Sequence, residues 1–153
     1  MFFCQGEGNV AVKSIPEGFH TITPYLVVPD PAALIEFLEQ AFDAKELHRT
    51  DRPDGSVMHV KIGDSMLMMG GATPEWPPLP AGIYLYVEDA DQIYARAIAA
   101  GAVPVMEPMD AFWGDRMGGV RDASDNFWWI ASHNEDVPRE EVARRAAAEM
   151  RQK

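Results

Sequence analysis

The sequence predicts an α+β domain of two similar halves, with a helix appended at the C-terminus. Each half reads as a strand and a helix followed by further strands. A short apolar strand, Tyr25-Leu26-Val27-Val28, runs into a helix-like stretch, and about 59 residues later Tyr84-Leu85-Tyr86-Val87 does the same. Between these units apolar residues recur at the two-residue period of half-buried strands. A chain of 153 residues suits one domain.

Asp30 and Pro31 fit the N-cap and first position of the first helix. Leu34, Ile35, Leu38, Ala41 and Phe42 then repeat at helical spacing and give it one buried face. Val57–Ile62 and Ser65–Gly70 flank Gly63-Asp64, a two-residue hairpin signal. That hairpin sets His59 opposite Met68 and Lys61 opposite Met66. Alternation puts Met58, Val60, Ile62, Leu67 and Met69 on the helix side. It leaves Val57, His59, Lys61, Met66 and Met68 on a mixed face. Residues 72–80 hold four prolines and read as the linker. Asp89 caps a second helix whose buried face holds Ile93, Tyr94, Ala97 and Ile98, and Gly101 closes it. Glu88, Asp89 and Asp91 read as cap and first-turn charges of that helix. The same parity leaves Thr23, Tyr25 and Val27, then Gly82, Tyr84 and Tyr86, then Phe127, Trp129 and Ala131 on faces turned away from the helices. Asp136-Val137-Pro138 starts the last helix, spanning 135–153. Residues 1–17 read as a flexible N-terminal segment.

Composition narrows the function classes. The net charge is −11, so nonspecific nucleic-acid binding and an anionic membrane surface are both disfavoured. At 47% hydrophobic the chain is not a disordered tail. A single cysteine, Cys4, excludes an internal disulfide framework and fits a reducing cytosol. The apolar start Met1-Phe2-Phe3-Cys4 is too short for a secretory signal, and no apolar run approaches a membrane span. The expected compartment is the cytoplasm.

The stretch Phe112-Trp113-Gly114-Asp115-Arg116-Met117-Gly118-Gly119-Val120-Arg121-Asp122 resembles a motif of the vicinal oxygen chelate superfamily. That superfamily includes glyoxalase I, extradiol dioxygenases and bleomycin-resistance proteins. The motif points to its PhnB-like bacterial branch. Residues 20–28, 62–68 and 131–137 are similar to that branch too. The resemblance covers roughly residues 18–148. It implies one domain over 18–134, with βαβββ modules at about 18–72 and 80–134 that form a curled mixed sheet around a cavity. It also implies a homodimer.

Catalytic members of the superfamily hold a divalent metal through His or Glu on cavity-facing strands. Alignment with the glyoxalase I pattern puts those positions at Thr23, Met68, Gly82 and Trp129. None is a conventional ligand for a hard divalent ion. The expectation is therefore a protein without a cofactor. It would bind a small, partly aromatic ligand through Tyr25, His59, Met66, Met68, Tyr84, Tyr86, Trp113, Arg116, Phe127 and Trp129, as aromatic and thioether surfaces suit such ligands. The alternative is a metal-dependent lyase, isomerase or dioxygenase with an atypical site that includes His59. His20, His48 and His133 read as structural or solvated. The glycines of the motif are followed by no Lys-Ser/Thr and helix start, so they are not a P-loop. Cys4 has no base nearby and is not read as a nucleophile.

Overall fold

The structure, a computed structural model, describes residues 11–53 and 56–153. Cys4 and most of the expected flexible segment lie outside the described residues. Residues 11–17 are exposed and carry neither helix nor strand.

Two βαβββ modules follow each other along the chain. The first comprises β1 (Tyr25–Val28), α1 (Pro31–Phe42), β2 (Lys45–Thr50), β3 (Val57–Ile62) and β4 (Ser65–Gly71). The second comprises β5 (Gly82–Tyr86), α2 (Ala90–Ala99), β6 (Val103–Asp110), β7 (Asp115–Arg121) and β8 (Phe127–His133). Helix α3 (Arg139–Arg151) closes the described chain. The strands form two four-stranded sheets, one per module, ordered β1-β4-β3-β2 and β5-β8-β7-β6. In each, the first strand runs parallel to the last, and Tyr25 pairs with Met68 as Tyr84 pairs with Trp129. The remaining pairs are antiparallel.

Local chemistry explains the boundaries. The Asp30 carboxylate accepts the Ala33 N–H at 3.1 Å, and Asp89 accepts that of Gln92 at 3.1 Å, so both helices start on a side-chain cap. Gly101 follows α2 at a φ of 108°, the left-handed conformation that suits glycine at C′. Strands β3 and β4 pair in the hairpin register expected, with His59 opposite Met68 and Lys61 opposite Met66. Helix α3 begins later than Asp136. Its N-cap is Pro138, and no side chain caps it. The Asp136 carboxylate is instead 2.7 Å from His133.

One core serves both modules. Leu26, Val28, Leu34, Leu38, Met58, Val60 and Met69 of the first share it with Ala97, Val120, Trp128 and Ile130 of the second. Helices α1 and α2 pack on each other, and Phe42 lies 5.0 Å, ring to ring, from Trp128 across the seam. Arg96 of α2 adds a bidentate pair with Asp43 and a bond to the Gln40 carbonyl. The sheets thus spend their helix-facing sides on this core. Their other faces stay open, as Tyr25 (50% exposed) and Tyr86 (62%) show.

Candidate ligand-binding site

Seen from its open face, the second sheet presents Gly82, Tyr84 and Tyr86 from β5. Beside them stand Phe127, Trp129, Ala131 and His133 from β8, then Asp115, Met117 and Gly119 from β7. The ladder fixes these neighbours: Tyr86 pairs with Ala131 and Ala131 with Met117, while Asp115 pairs with His133. Ala131 is small, so it leaves a path for the tyrosine hydroxyls to reach across to β7.

They end on Asp115, which is only 2% exposed. Tyr84 and Tyr86 donate to its Oδ2 at 2.8 and 3.0 Å, and the Trp113 indole N–H donates to the same oxygen at 3.1 Å. His133 Nδ1 lies 2.8 Å from the other oxygen, Oδ1. His133 therefore bridges two carboxylates, Asp115 and Asp136. Burial is the largest single influence on Asp115 and pushes its pKa up. The four hydrogen bonds together outweigh it, and the net direction is down. His133 is pushed up by its bond to Asp136, then by that to Asp115. Burial pushes Tyr84 up to about 12, with Asp115 adding to it, and moves Tyr86 the same way. Both phenols are therefore donors at neutral pH, not bases.

Trp113 is held by the β6–β7 turn. The Ala111 N–H donates to the Asp115 carbonyl at 2.7 Å and the Gly114 N–H to that of Ala111 at 3.1 Å. Gly114 has a φ of 103°, and its carbonyl accepts the N–H groups of Asn134 and Glu135. Arg145 of α3 clamps the turn from outside, bonding the Phe112 carbonyl at 3.3 Å and the Glu135 carboxylate. Phe112 meets Trp113 edge to face, ring centres 4.9 Å apart.

At the other end of this face Phe127 and Trp129 lie 4.0 Å apart, ring to ring. Trp129 reaches over Gly82: a Cβ there would stand 3.0 Å from the indole. Phe127 covers Gly119 in the same way, at 2.8 Å. The two glycines are the floor on which the rings lie.

The first sheet holds a separate group. His59 stands between Phe19, 5.3 Å away edge to face, and His48, at 5.1 Å. Burial lowers its pKa and the His48 charge lowers it further, so it is neutral at pH 7. Tyr25 lies across Gly70, with its hydroxyl where a Cβ would be. Met68 is beside His59 and Tyr25 in the ladder. Met66 is buried, and its methyl tip packs under Gly18.

A cleft of about 830 Å³ runs along the seam between the modules. Its lining includes Met66, Tyr84, Tyr86, Phe42 and Trp128. Thus Met66 of one module meets Tyr84 and Tyr86 of the other around one space. Arg116 is not brought to it. As the neighbour of Asp115 in a strand, it points to the opposite face. There Asp91 holds it in a bidentate pair, at 2.6 and 3.0 Å, and Asp110 adds a bond at 3.2 Å.

Sequence reasoning passed over Asp115 and His133 as centres of the site. For His133 the available signal is its parity with Phe127 and Trp129 along one strand, whereas Asp115 is placed only by the register of β7 against β8. His48 as the neighbour of His59 was also missed, since the strand carrying it has no apolar alternation.

The positions expected to correspond to the superfamily's metal ligands, Thr23, Met68, Gly82 and Trp129, carry neither carboxylate nor imidazole. The Thr23 hydroxyl donates to the His20 carbonyl at 3.1 Å, Met68 offers a thioether, and Gly82 lies under Trp129. Among the described residues no three of His, Cys, Asp or Glu form a group that could hold a metal ion. This donor set does not fit a hard divalent cation at the family position.

Two βαβββ modules around one helical core, each with an open aromatic or thioether-lined sheet face, define the fold class. The family model of the Glyoxalase/Bleomycin resistance protein/Dioxygenase superfamily matches residues 18–130, and the chain belongs to that superfamily. Uncharacterized protein Mb0911c of Mycobacterium bovis is 35% identical over 79% of this chain and 88% of its own. Among solved structures, TioX from Micromonospora sp. ML1 superposes with a TM-score of 0.63 at 23% identity, over 73% of this chain and 97% of that one. A V278E glyoxalase I mutant from Zea mays gives 0.63 at 12% identity, over 74% of this chain and 44% of its own. At those identities the likeness is one of fold. No helix among the described residues is long and apolar enough to cross a membrane.

Proposed function

We propose that the chain binds a small, partly aromatic ligand without the help of a metal. The observation that carries this reading is the convergence of Tyr84, Tyr86 and Trp113 on one buried carboxylate. Three rings are thereby fixed in place while their surfaces stay open to solvent, which is the preorganisation a binding site needs. Phe127 and Trp129 extend the apolar surface. Met66 borders the same cleft as Tyr84 and Tyr86, while Met68, Tyr25 and His59 offer a separate surface on the first module. Sequestration of a drug-like molecule is the concrete form. The proposed assembly is a homodimer in which a partner covers the open sheet faces, and the proposed compartment is the cytoplasm, in keeping with a single cysteine.

A thermal-shift screen of aromatic compounds tests the reading. A hit is expected to raise the melting temperature of the wild type but not of Trp129→Ala or Tyr84→Ala. A shift that survives both substitutions puts the ligand elsewhere.

The His59–His48 pair favours a second reading, a metal-dependent lyase, isomerase or dioxygenase with an atypical site. Elemental analysis of the purified protein separates the two. Stoichiometric Zn, Ni, Mn or Fe would sink the metal-free reading.

A further inference from the structure

We infer that the open surface formed by Tyr84, Tyr86 and Trp113 over Asp115 takes an organic cation, a protonated or methylated ammonium group. This rests on the ligand-binding reading above and names its ligand class. Both hydroxyls and the indole N–H donate to Asp115 Oδ2. These donors are therefore already engaged, and what the three residues offer a ligand is mainly aromatic carbon. A neutral polar ligand would lose its hydrogen bonds to water there and find little in exchange. A cation instead gains from the ring quadrupoles, and donation into a carboxylate makes phenol and indole rings richer in electrons. Tyr84 and Tyr86 lie 5.1 Å apart, ring to ring, close enough to share one ammonium group.

The surroundings carry the same sign. With His133 protonated, the set Asp115, His133 and Asp136 keeps one net negative charge. Tyr84 and Tyr86 also border the seam cleft, whose lining includes Asp43, Asp64 and Glu88 but no lysine or arginine. Arg96 neutralises Asp43, which leaves the negative charges of Asp64 and Glu88 in that lining. An anionic ligand meets the opposite field.

The test is a titration of the full chain, followed by NMR and tryptophan fluorescence, with choline and its uncharged isostere 3,3-dimethylbutan-1-ol. Choline is expected to bind at least about tenfold more tightly. Tyr86→Leu and Trp113→Leu are each expected to weaken it by about tenfold. Tyr86 is 62% exposed, so its replacement spares the core. Equal affinity for the two isosteres overturns the inference, as does choline binding untouched by both variants. If choline fails while a neutral aromatic hit still needs Trp129, only the cation class falls. If neither class binds, the ligand-binding reading falls with it.

Discussion

Removing the Asp115 carboxylate strands four polar partners at once: two phenols, an indole N–H and an imidazole. Asp115→Ala is expected to cost about 1–3 kcal/mol, since a buried acceptor of four hydrogen bonds is lost, although its donors stay open enough for water to replace part of it. Urea denaturation measures the cost, and Trp113 fluorescence reports the freed indole. Asp115→Asn keeps the shape but loses the charge, and should fall between wild type and alanine. His133 adds a pH dependence of known sign. Its folded pKa lies above the unfolded value of about 6.5, so its bridge stabilises fully below that pH and is lost as pH rises through the folded pKa. The melting temperature should therefore decline above neutrality in wild type and flatten in His133→Gln. A profile unchanged by the substitution would remove His133 from the network. At this scale the sequence showed Tyr84, Tyr86 and Trp113 through strand parity and motif. The partner they share was harder to see, because it depends on the register of β7 against β8 and on the small Ala131 between strands. Arg116 was the expected site residue and Asp115 was not, yet adjacent residues of a strand face opposite sides. Only Asp115 faces the rings.

The β6–β7 turn is the element that aims Trp113, and Gly114 is its pivot. The left-handed φ disfavours any side chain, and a Cβ would also run into the Glu135 carbonyl oxygen. Gly114→Ala is expected to destabilise the fold by about 1–3 kcal/mol and to move Trp113 off Asp115. Thermal unfolding and the indole emission maximum read the two effects separately. Wild-type values in both would show that the turn relaxes without strain. Elements with strong local signals were legible in advance: α1 and α2 from their Asp caps and apolar spacing, the β3–β4 hairpin from Gly63-Asp64. Strand β2 was not, since most of it is exposed and its register slips between Glu46 and His48. Helix α3 starts later than Asp136-Val137-Pro138, the expected start, and the Asp136 carboxylate serves His133. The clamp of Arg145 on the turn joins residues more than thirty positions apart and leaves no local trace.

The repeat at an offset of about 59 residues revealed two modules, but not that they share one core through α1, α2 and the Phe42–Trp128 contact. That packing has a consequence for assembly. With the helix-facing sides used up inside one chain, Tyr25, Tyr84, Tyr86, Val105, Met109 and Trp113 are left exposed. Exposed apolar side chains on both sheets are what a self-associating protein would present. The charge does not oppose it uniformly: residues 62–115 hold eight acids and one base, whereas the tail from Glu135 on is balanced. Like charges in the acidic stretch would repel across an interface, and salt would screen that repulsion. A homodimer should therefore sediment at twice the 17.0 kDa chain mass and tighten as ionic strength rises. Tyr25→Glu combined with Tyr86→Glu, on the open face of each sheet, should add to that repulsion and shift it to monomer without changing the helical content seen by circular dichroism. A wild-type protein that stays monomeric at tens of micromolar in both low and high salt would refute the dimer, and would leave each sheet face as a complete surface within a single chain.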